Sequence, residues 1–232
     1  MKRFIYSFLF LFGLLLSTGC EDITSEDTSK ITNFVTFEMS GDQVFTLPVG
    51  EPYVEPGVLA IEGENDITSS MKTVGTVDHN TIGLYPITYS GTNVDGFSSS
   101  TSRTVIVYNP NVTTDVSGNY TVATGSYRLR AGAIIPYSGY SINVAQVAPG
   151  VFSISDYLGG YYDQRAAYGV KYAAVGYFKL NEDNTIEPLS GDVAGWGDSI
   201  SSLDDAKYDP ATKEISWACN YAGMTFYVYM KL

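Results

Sequence analysis

Few residues in this 232-residue chain could do covalent chemistry. The single histidine, His79, sits in the turn-forming stretch Val77-Asp78-His79-Asn80-Thr81, and no Gly-x-Ser-x-Gly, His-Glu-x-x-His or phosphate-cradling glycine loop occurs. A histidine-based triad or a histidine-rich metal centre therefore lacks its imidazoles, and no motif calls for a cofactor. Cys219 alternates with Trp217 and Tyr221, which places all three on one strand face and favours packing over nucleophilic work. Asp192, Asp198, Asp204 and Asp205 could supply the carboxylate pair that glycoside hydrolysis needs, yet nothing in their spacing selects two of them. Glu62, Glu64 and Asp66 alternate around Gly63 as hard oxygen ligands for calcium can, but without the twelve-residue calcium-loop pattern, so a solvated turn is expected.

Binding chemistry is better represented. Tyr157-Leu158-Gly159-Gly160-Tyr161-Tyr162-Asp163-Gln164-Arg165-Ala166-Ala167-Tyr168-Gly169 and Gly195-Trp196-Gly197-Asp198 set aromatic rings on glycine-flanked loops beside Asp, Gln and Arg. Flat apolar faces with hydrogen-bonding groups at their edges suit sugars and peptides alike. Tyr161, Tyr162, Arg165, Tyr168, Trp196 and Asp198 are accordingly the candidate ligand contacts, with catalytic and metal-ligating sets left empty. The competing reading is that the tyrosines pack onto or cap a β core, since tyrosine is a good strand residue. Trp196 between two glycines fits that reading least well.

The elements that must position these side chains read as strands. From Asn33 onward no amphipathic helical period is evident, and short β-rich runs alternate with Gly, Asn, Asp and Pro. In the last nine residues, Phe226, Val228, Met230 and Leu232 fall on one face and Tyr227, Tyr229 and Lys231 on the other. Thr104–Tyr108 and Tyr85–Tyr89 read similarly. Glu182-Asp183-Asn184-Thr185 and Asp209-Pro210-Ala211-Thr212 are hairpin turns. A strand pattern ends at Tyr108-Asn109-Pro110-Asn111, and 14 of the 19 tyrosines and both tryptophans lie after residue 110. Two β domains are expected, residues 33–109 and 110–232.

The first residues carry an export signal. Lys2 and Arg3 precede Phe4–Leu16, an apolar run broken by Ser7 and Gly13 and shorter than the roughly 20 residues of a membrane span. The run ends in Leu16-Ser17-Thr18-Gly19-Cys20, which resembles the lipobox of bacterial lipoproteins. The resemblance implies removal of residues 1–19 and lipidation of Cys20, and each buried CH₂ of the acyl chains would add about 0.8 kcal/mol of membrane attachment. Residues 20–32 are polar and acidic and read as a flexible tether. Glu21 and Asp22 directly after the cysteine resemble the surface-export signal of Bacteroidota lipoproteins, implying an outer-membrane anchor facing the exterior. Loss of Lys2 and Arg3 leaves 11 basic against 25 acidic residues, so the mature net charge moves from −12 to −14. That balance argues against nucleic acid as a partner. With Cys20 lipidated, Cys219 has no disulfide partner.

Two further resemblances suggest a setting. Gly50-Glu51-Pro52-Tyr53-Val54-Glu55-Pro56-Gly57-Val58, Gly63-Glu64-Asn65-Asp66-Ile67-Thr68, Gly83-Leu84-Tyr85-Pro86-Ile87-Thr88-Tyr89 and Arg103-Thr104-Val105-Ile106-Val107 resemble the bacterial immunoglobulin-like module of many surface proteins, which implies a β-sandwich spacer. Ser117-Gly118-Asn119-Tyr120, Gly150-Val151-Phe152-Ser153-Ile154-Ser155-Asp156, Gly159-Gly160-Tyr161-Tyr162 and Tyr208-Asp209-Pro210 through Ile215-Ser216-Trp217 resemble the C-terminal β domain of small lipoproteins that accompany SusC/SusD-type importers. That implies an antiparallel barrel, lipocalin-like, or a flattened sandwich. The function expected is that of a non-catalytic accessory of a SusC/SusD-like nutrient importer, binding a glycan or oligopeptide. A structural or adhesive surface lipoprotein is the alternative, and a divergent glycoside hydrolase the third reading.

Overall fold

The computed structural model describes residues 31–232, so the export signal, Cys20 and most of the tether lie outside the described residues. The first β unit has two sheets. One contains β1 (Val35–Met39), β3 (Val58–Glu62) and β4 (Asn65–Asp66). The other runs β2 (Val44–Pro48), β7 (Ser98–Tyr108), β6 (Gly83–Thr92) and β5 (Lys72–Val74), with β2 and β7 parallel and the remaining pairs antiparallel. Alternate residues of the facing strands, Leu47, Val58, Ile87, Tyr89, Val105 and Val107, form the core between them. Arg103 is fully buried at its side, 3.3 Å from Glu55 and donating to the Ser40 carbonyl at 2.6 Å. Glu55 also accepts the hydroxyls of Tyr53 and Tyr89.

The second unit is an antiparallel meander: β8 (Gly118–Val122), the hairpin β9 (Tyr127–Arg130) and β10 (Ala133–Pro136), β11 (Ser141–Ala148), β12 (Val151–Ile154), β13 (Val175–Leu180), β14 (Ile186–Val193), the short β15 (Asp198–Ser199), β16 (Ser202–Asp209), β17 (Glu214–Tyr221) and β18 (Met224–Lys231). Pairing runs β8-β11-β12-β13-β14 on one side and β16-β17-β18-β8 on the other. A bridge between Thr185 and Lys207, with the Tyr208 N–H donating to the Asn184 carbonyl at 2.9 Å, brings β14 round to β16. The eight strands thus make a barrel, filled by inward side chains such as Tyr120, Ile142, Phe152, Phe178, Ile215, Trp217 and Phe226. Along β18 buried and half-exposed residues alternate as the sequence predicts, through Met230. Leu232 departs from that expectation: it lies beyond the strand and is exposed, its side chain resting on Gly118 of β8, where an added Cβ would meet it.

Strict up-and-down connectivity sorts the loops. The β11–β12, β13–β14 and β16–β17 turns share one end of the barrel with the incoming linker. At this end Ile106, Leu84 and Tyr108 of the first unit pack with Val147, Ala148, Val151 and Leu189 of the second. The connections β8–β11, β12–β13, β14–β16 and β17–β18 emerge at the opposite end.

Candidate functional site

At that far end the β12–β13 connection, residues 155–174, is held by one carboxylate. Asp156 is buried, and its Oδ1 accepts the N–H groups of Leu158 (2.8 Å) and Ala174 (2.9 Å) while Oδ2 accepts that of Gly160 (2.8 Å). Its burial pushes the carboxyl pKa up to about 6 against those three donors, which favour the ionised form. Gly159 and Gly160 both have positive φ (63° and 74°), a pair of left-handed residues that turns the chain into the π-helical turn Tyr161–Arg165. A Cβ on Gly160 would lie 2.7 Å from that of Tyr140. The Trp217 indole N–H donates to the Tyr157 carbonyl and the Tyr137 hydroxyl to that of Leu158, so the loop is fastened to the barrel interior.

This scaffold brings five aromatic rings together. Trp196 lies 4.8 Å from Tyr162, 4.6 Å from Tyr172, 6.1 Å from Tyr221 and 6.2 Å from Tyr168, centroid to centroid. Two hollows open beside the indole, which lines both. One, about 320 Å³, is lined by Tyr168, Tyr172 and Trp196; the other, about 270 Å³, by Tyr162, Trp196, Asp198, Tyr221 and Ala222. Trp196 is 44% and Tyr168 55% exposed, large apolar areas for side chains of a packed barrel end. Asp198 accepts the Tyr221 hydroxyl at 2.7 Å. Burial, reinforced by that carboxylate, pushes the Tyr221 phenol pKa up and keeps it a donor.

Of the residues singled out in the sequence, Tyr162, Tyr168, Trp196 and Asp198 line this cleft. Tyr161 does not: it is buried beneath Tyr162, at 5.0 Å between rings, and packs on Phe226. Arg165 is exposed, with its guanidinium 5.0 Å above the Tyr161 ring. Tyr172 and Tyr221 belong to the cleft and were not anticipated. Tyr221 could have been, since it ends the inward-facing series Trp217, Cys219, Tyr221. Nor is the Trp196 segment a free loop. The Gly195 N–H donates to the Lys171 carbonyl at 2.6 Å, and the glycine sits against the Tyr172 ring, where a Cβ would approach within 2.6 Å.

Other candidates are engaged structurally. Glu62 accepts the Val94 N–H and Asp66 the Thr68 N–H, as loop fasteners. Asp192 accepts the Ser199 hydroxyl, and Asp204 the Asn220 amide. Cys219 is fully buried, which pushes its thiol pKa up and keeps it protonated. Among the described residues no helix is long and apolar enough to cross a membrane.

The crystal structure of the lipoprotein BT2262 from Bacteroides thetaiotaomicron matches this chain at 48% identity, covering 86% of this chain and 100% of that one, with a TM-score of 0.50. The chain belongs to the BT2262 family. A family profile for a C-terminal domain matches residues 109–232, more than half the chain, and the profile of the bacterial surface protein Ig-like domain matches residues 37–107. A second solved structure, CBM51-2 in complex with GlcNAc and INT domains from Clostridium perfringens ZmpB, matches at 18% identity over 51% of this chain and 31% of that one, with a TM-score of 0.29, too low to bear on fold or function. No curated protein matches.

Proposed function

We propose that this BT2262-family protein is a lipid-anchored outer-membrane lipoprotein of the cell surface, and that it binds a glycan without catalysis as an accessory of a SusC/SusD-like importer. The observation that carries the reading is the aromatic cleft around Trp196. Sugar rings present apolar C–H faces that stack on aromatic planes, and hydroxyls that pair with groups at the ring edges. Here two hollows share one indole, with the Asp198 carboxylate and Tyr221 hydroxyl beside it.

The placement of the cleft supports the same reading. The chain enters the first unit where the Asn33 carbonyl accepts the Asn93 side-chain amide and Phe34 meets Phe97, at the β6–β7 turn. It leaves at Tyr108, the far end of the 11-residue β7, at most about 35 Å away. The barrel then continues from its linker end to the cleft. The described chain thus begins at the end of the molecule away from the cleft, which suits an anchor preceding it and the Ig-like unit as spacer. Among the described residues Cys219 is buried with its thiol held protonated, and Asp192, Asp198 and Asp204 each accept a hydrogen bond from a neighbouring side chain, engagements that support a binding reading.

Two measurements test this. Glycan-array binding by the detergent-solubilised protein should find saccharide ligands, with Trp196→Ala weakening them. Losing a stacked face of about 60 Å² at about 25 cal/mol per Å² removes about 1.5 kcal/mol, roughly tenfold in Kd. Affinity purification from outer membranes should recover a SusC/SusD-like pair with the wild-type chain. An array without hits removes the glycan reading; recovery of the chain alone removes the importer.

A further inference from the structure

Resting on the glycan reading, we infer that the ligand is an acidic saccharide, whose carboxylate or sulfate groups meet a cluster of unpaired cations at the rim of the aromatic cleft. The charge distribution is the starting observation. Although acidic residues outnumber basic ones 25 to 13, Arg128, Arg130, Arg165 and Lys171 all gather at the cleft end of the barrel. Ion pairs among the described residues are Arg103–Glu55, Lys179–Glu187 and Lys231–Glu214; none of the four takes part in one.

In a chain so rich in carboxylates, four neighbouring cations without an acidic partner need a reason, and the local geometry supplies one. Arg128 faces Phe226 across the β9–β18 pairing, so its side chain shares the face of the core rings at the barrel mouth. Arg130, two residues on, shares that face. The Arg128 and Arg165 guanidiniums each lie 5.0 Å from the Tyr161 ring centroid, and the Lys171 ammonium lies 5.2 Å from that of Tyr172. Ring contacts of this kind hold a cation without neutralising its charge; Arg128 also hydrogen-bonds Tyr162 and, with Arg130, acts on its phenol, which ties both arginines to a ring of the cleft. The Arg128 Nε is buried without a hydrogen-bond partner. Arg130, Arg165 and Lys171 are exposed, so an anion can reach them without displacing protein.

Charge and stacking therefore address different parts of one ligand. Trp196, Tyr168 and Tyr172 offer faces to the sugar ring, and Asp198 an acceptor to its hydroxyls. The guanidiniums take the carboxylate or sulfate in the bidentate geometry that arginine favours. A protein of net negative charge would otherwise repel such a polymer. Cations at the mouth of the cleft, on the end opposite the Ig-like unit, reverse the local field where it matters.

The test is isothermal titration of the full-length, detergent-solubilised protein with size-matched oligosaccharides: oligogalacturonate, a chondroitin sulfate fragment and a neutral maltooligosaccharide. The expected result is that at least one acidic series binds and the neutral one does not, with affinity falling as salt rises from 50 to 200 mM, conditions chosen to shorten the screening length. Preference between the carboxylated and sulfated series identifies the anionic group. The double substitution Arg130→Gln with Arg165→Gln, both exposed and so tolerable to the fold, should weaken binding at least about tenfold. Binding of the neutral series with no loss in the double variant overturns the inference and leaves glycan binding standing. Failure of every saccharide overturns both.

Discussion

Asp156 allows a sharp test of how the cleft is supported. Replacing it with Asn keeps size and shape, and the amide oxygen can still accept from Leu158 and Ala174. The new NH₂ group, however, would point at the Gly160 N–H, where Oδ2 accepts at 2.8 Å. An orphaned buried donor of this kind costs about 1–3 kcal/mol. Against that stands the burial that lifts the carboxyl pKa to about 6. A carboxyl whose folded pKa lies above its unfolded value of about 3.9 contributes stability that is full below that unfolded value and is lost as pH rises through the folded one. Two pK units at 1.36 kcal/mol each amount to about 3 kcal/mol, of which about 2 kcal/mol falls between pH 4 and pH 7.

Asparagine does not titrate, and every other ionisable group is common to both proteins. The stability difference, wild type minus Asp156→Asn, should therefore shrink by about 2 kcal/mol from pH 4 to pH 7. At acid pH the variant is the weaker protein, and near neutrality the two approach one another. Urea unfolding monitored by tryptophan emission at four pH values reads the difference directly. A difference that stays flat, or that widens in favour of the wild type as pH rises, refutes the argument. It would mean that the three N–H donors outweigh desolvation and that Asp156 ionises in the ordinary carboxylate range or below it.

Gly195→Ala should drive a methyl into the Tyr172 ring at 2.6 Å and towards the Lys171 carbonyl at 2.9 Å. Overpacking of this kind costs about 1–3 kcal/mol, and the displaced Tyr172 should show as altered Trp196 emission and weaker ligand binding without loss of the barrel's circular dichroism. In the Ig-like unit, Glu55→Ala leaves the fully buried Arg103 without its carboxylate, and because Glu55 is itself about one-third exposed the expected loss is about 2–3 kcal/mol by urea unfolding. Burial opposes the charge on Glu55, but hydrogen bonds from Tyr53 and Tyr89 and the Arg103 charge outweigh it and hold the pKa down. Its contribution should accordingly be present at neutral pH and disappear in acid, the opposite sign to Asp156, so the Ala variant should lose its disadvantage as pH falls.

Local signals in the sequence were enough for some features and blind to others. The period-2 face of β18 and the Asp- and Asn-rich turns at 182–185 and 209–212 were legible because alternation and turn chemistry are short-range properties. Tyr162, Tyr168 and Trp196 could be suspected from glycine-flanked rings, but their approach depends on which loops share a barrel end, and that follows only from the number and register of strands. For the same reason Tyr161 could not be told from Tyr162. The two are adjacent in sequence, and a π-helical turn sends one ring under the other. Arg128 and Arg130 gave no sequence signal at all: their strand is a hairpin inserted between β8 and β11, and its docking against β18 faces them towards the cleft.

That the polar devices sit beneath the rings has a functional consequence. Open clefts bind weakly when ligand binding must first order their walls, since each immobilised side chain costs about 0.5–1.5 kcal/mol. Here the ordering is done by folding. Asp156 gathers three backbone N–H groups, Gln164 bonds both the N–H and the carbonyl of Ser141, and the Gly195 N–H ties the Trp196 turn to Lys171. The exposed faces of Trp196 and Tyr168 are thus held apart from solvent-driven collapse by bonds made below them. A rigid cleft of this kind selects by shape and charge already in place, and the site should change little between its free and occupied forms.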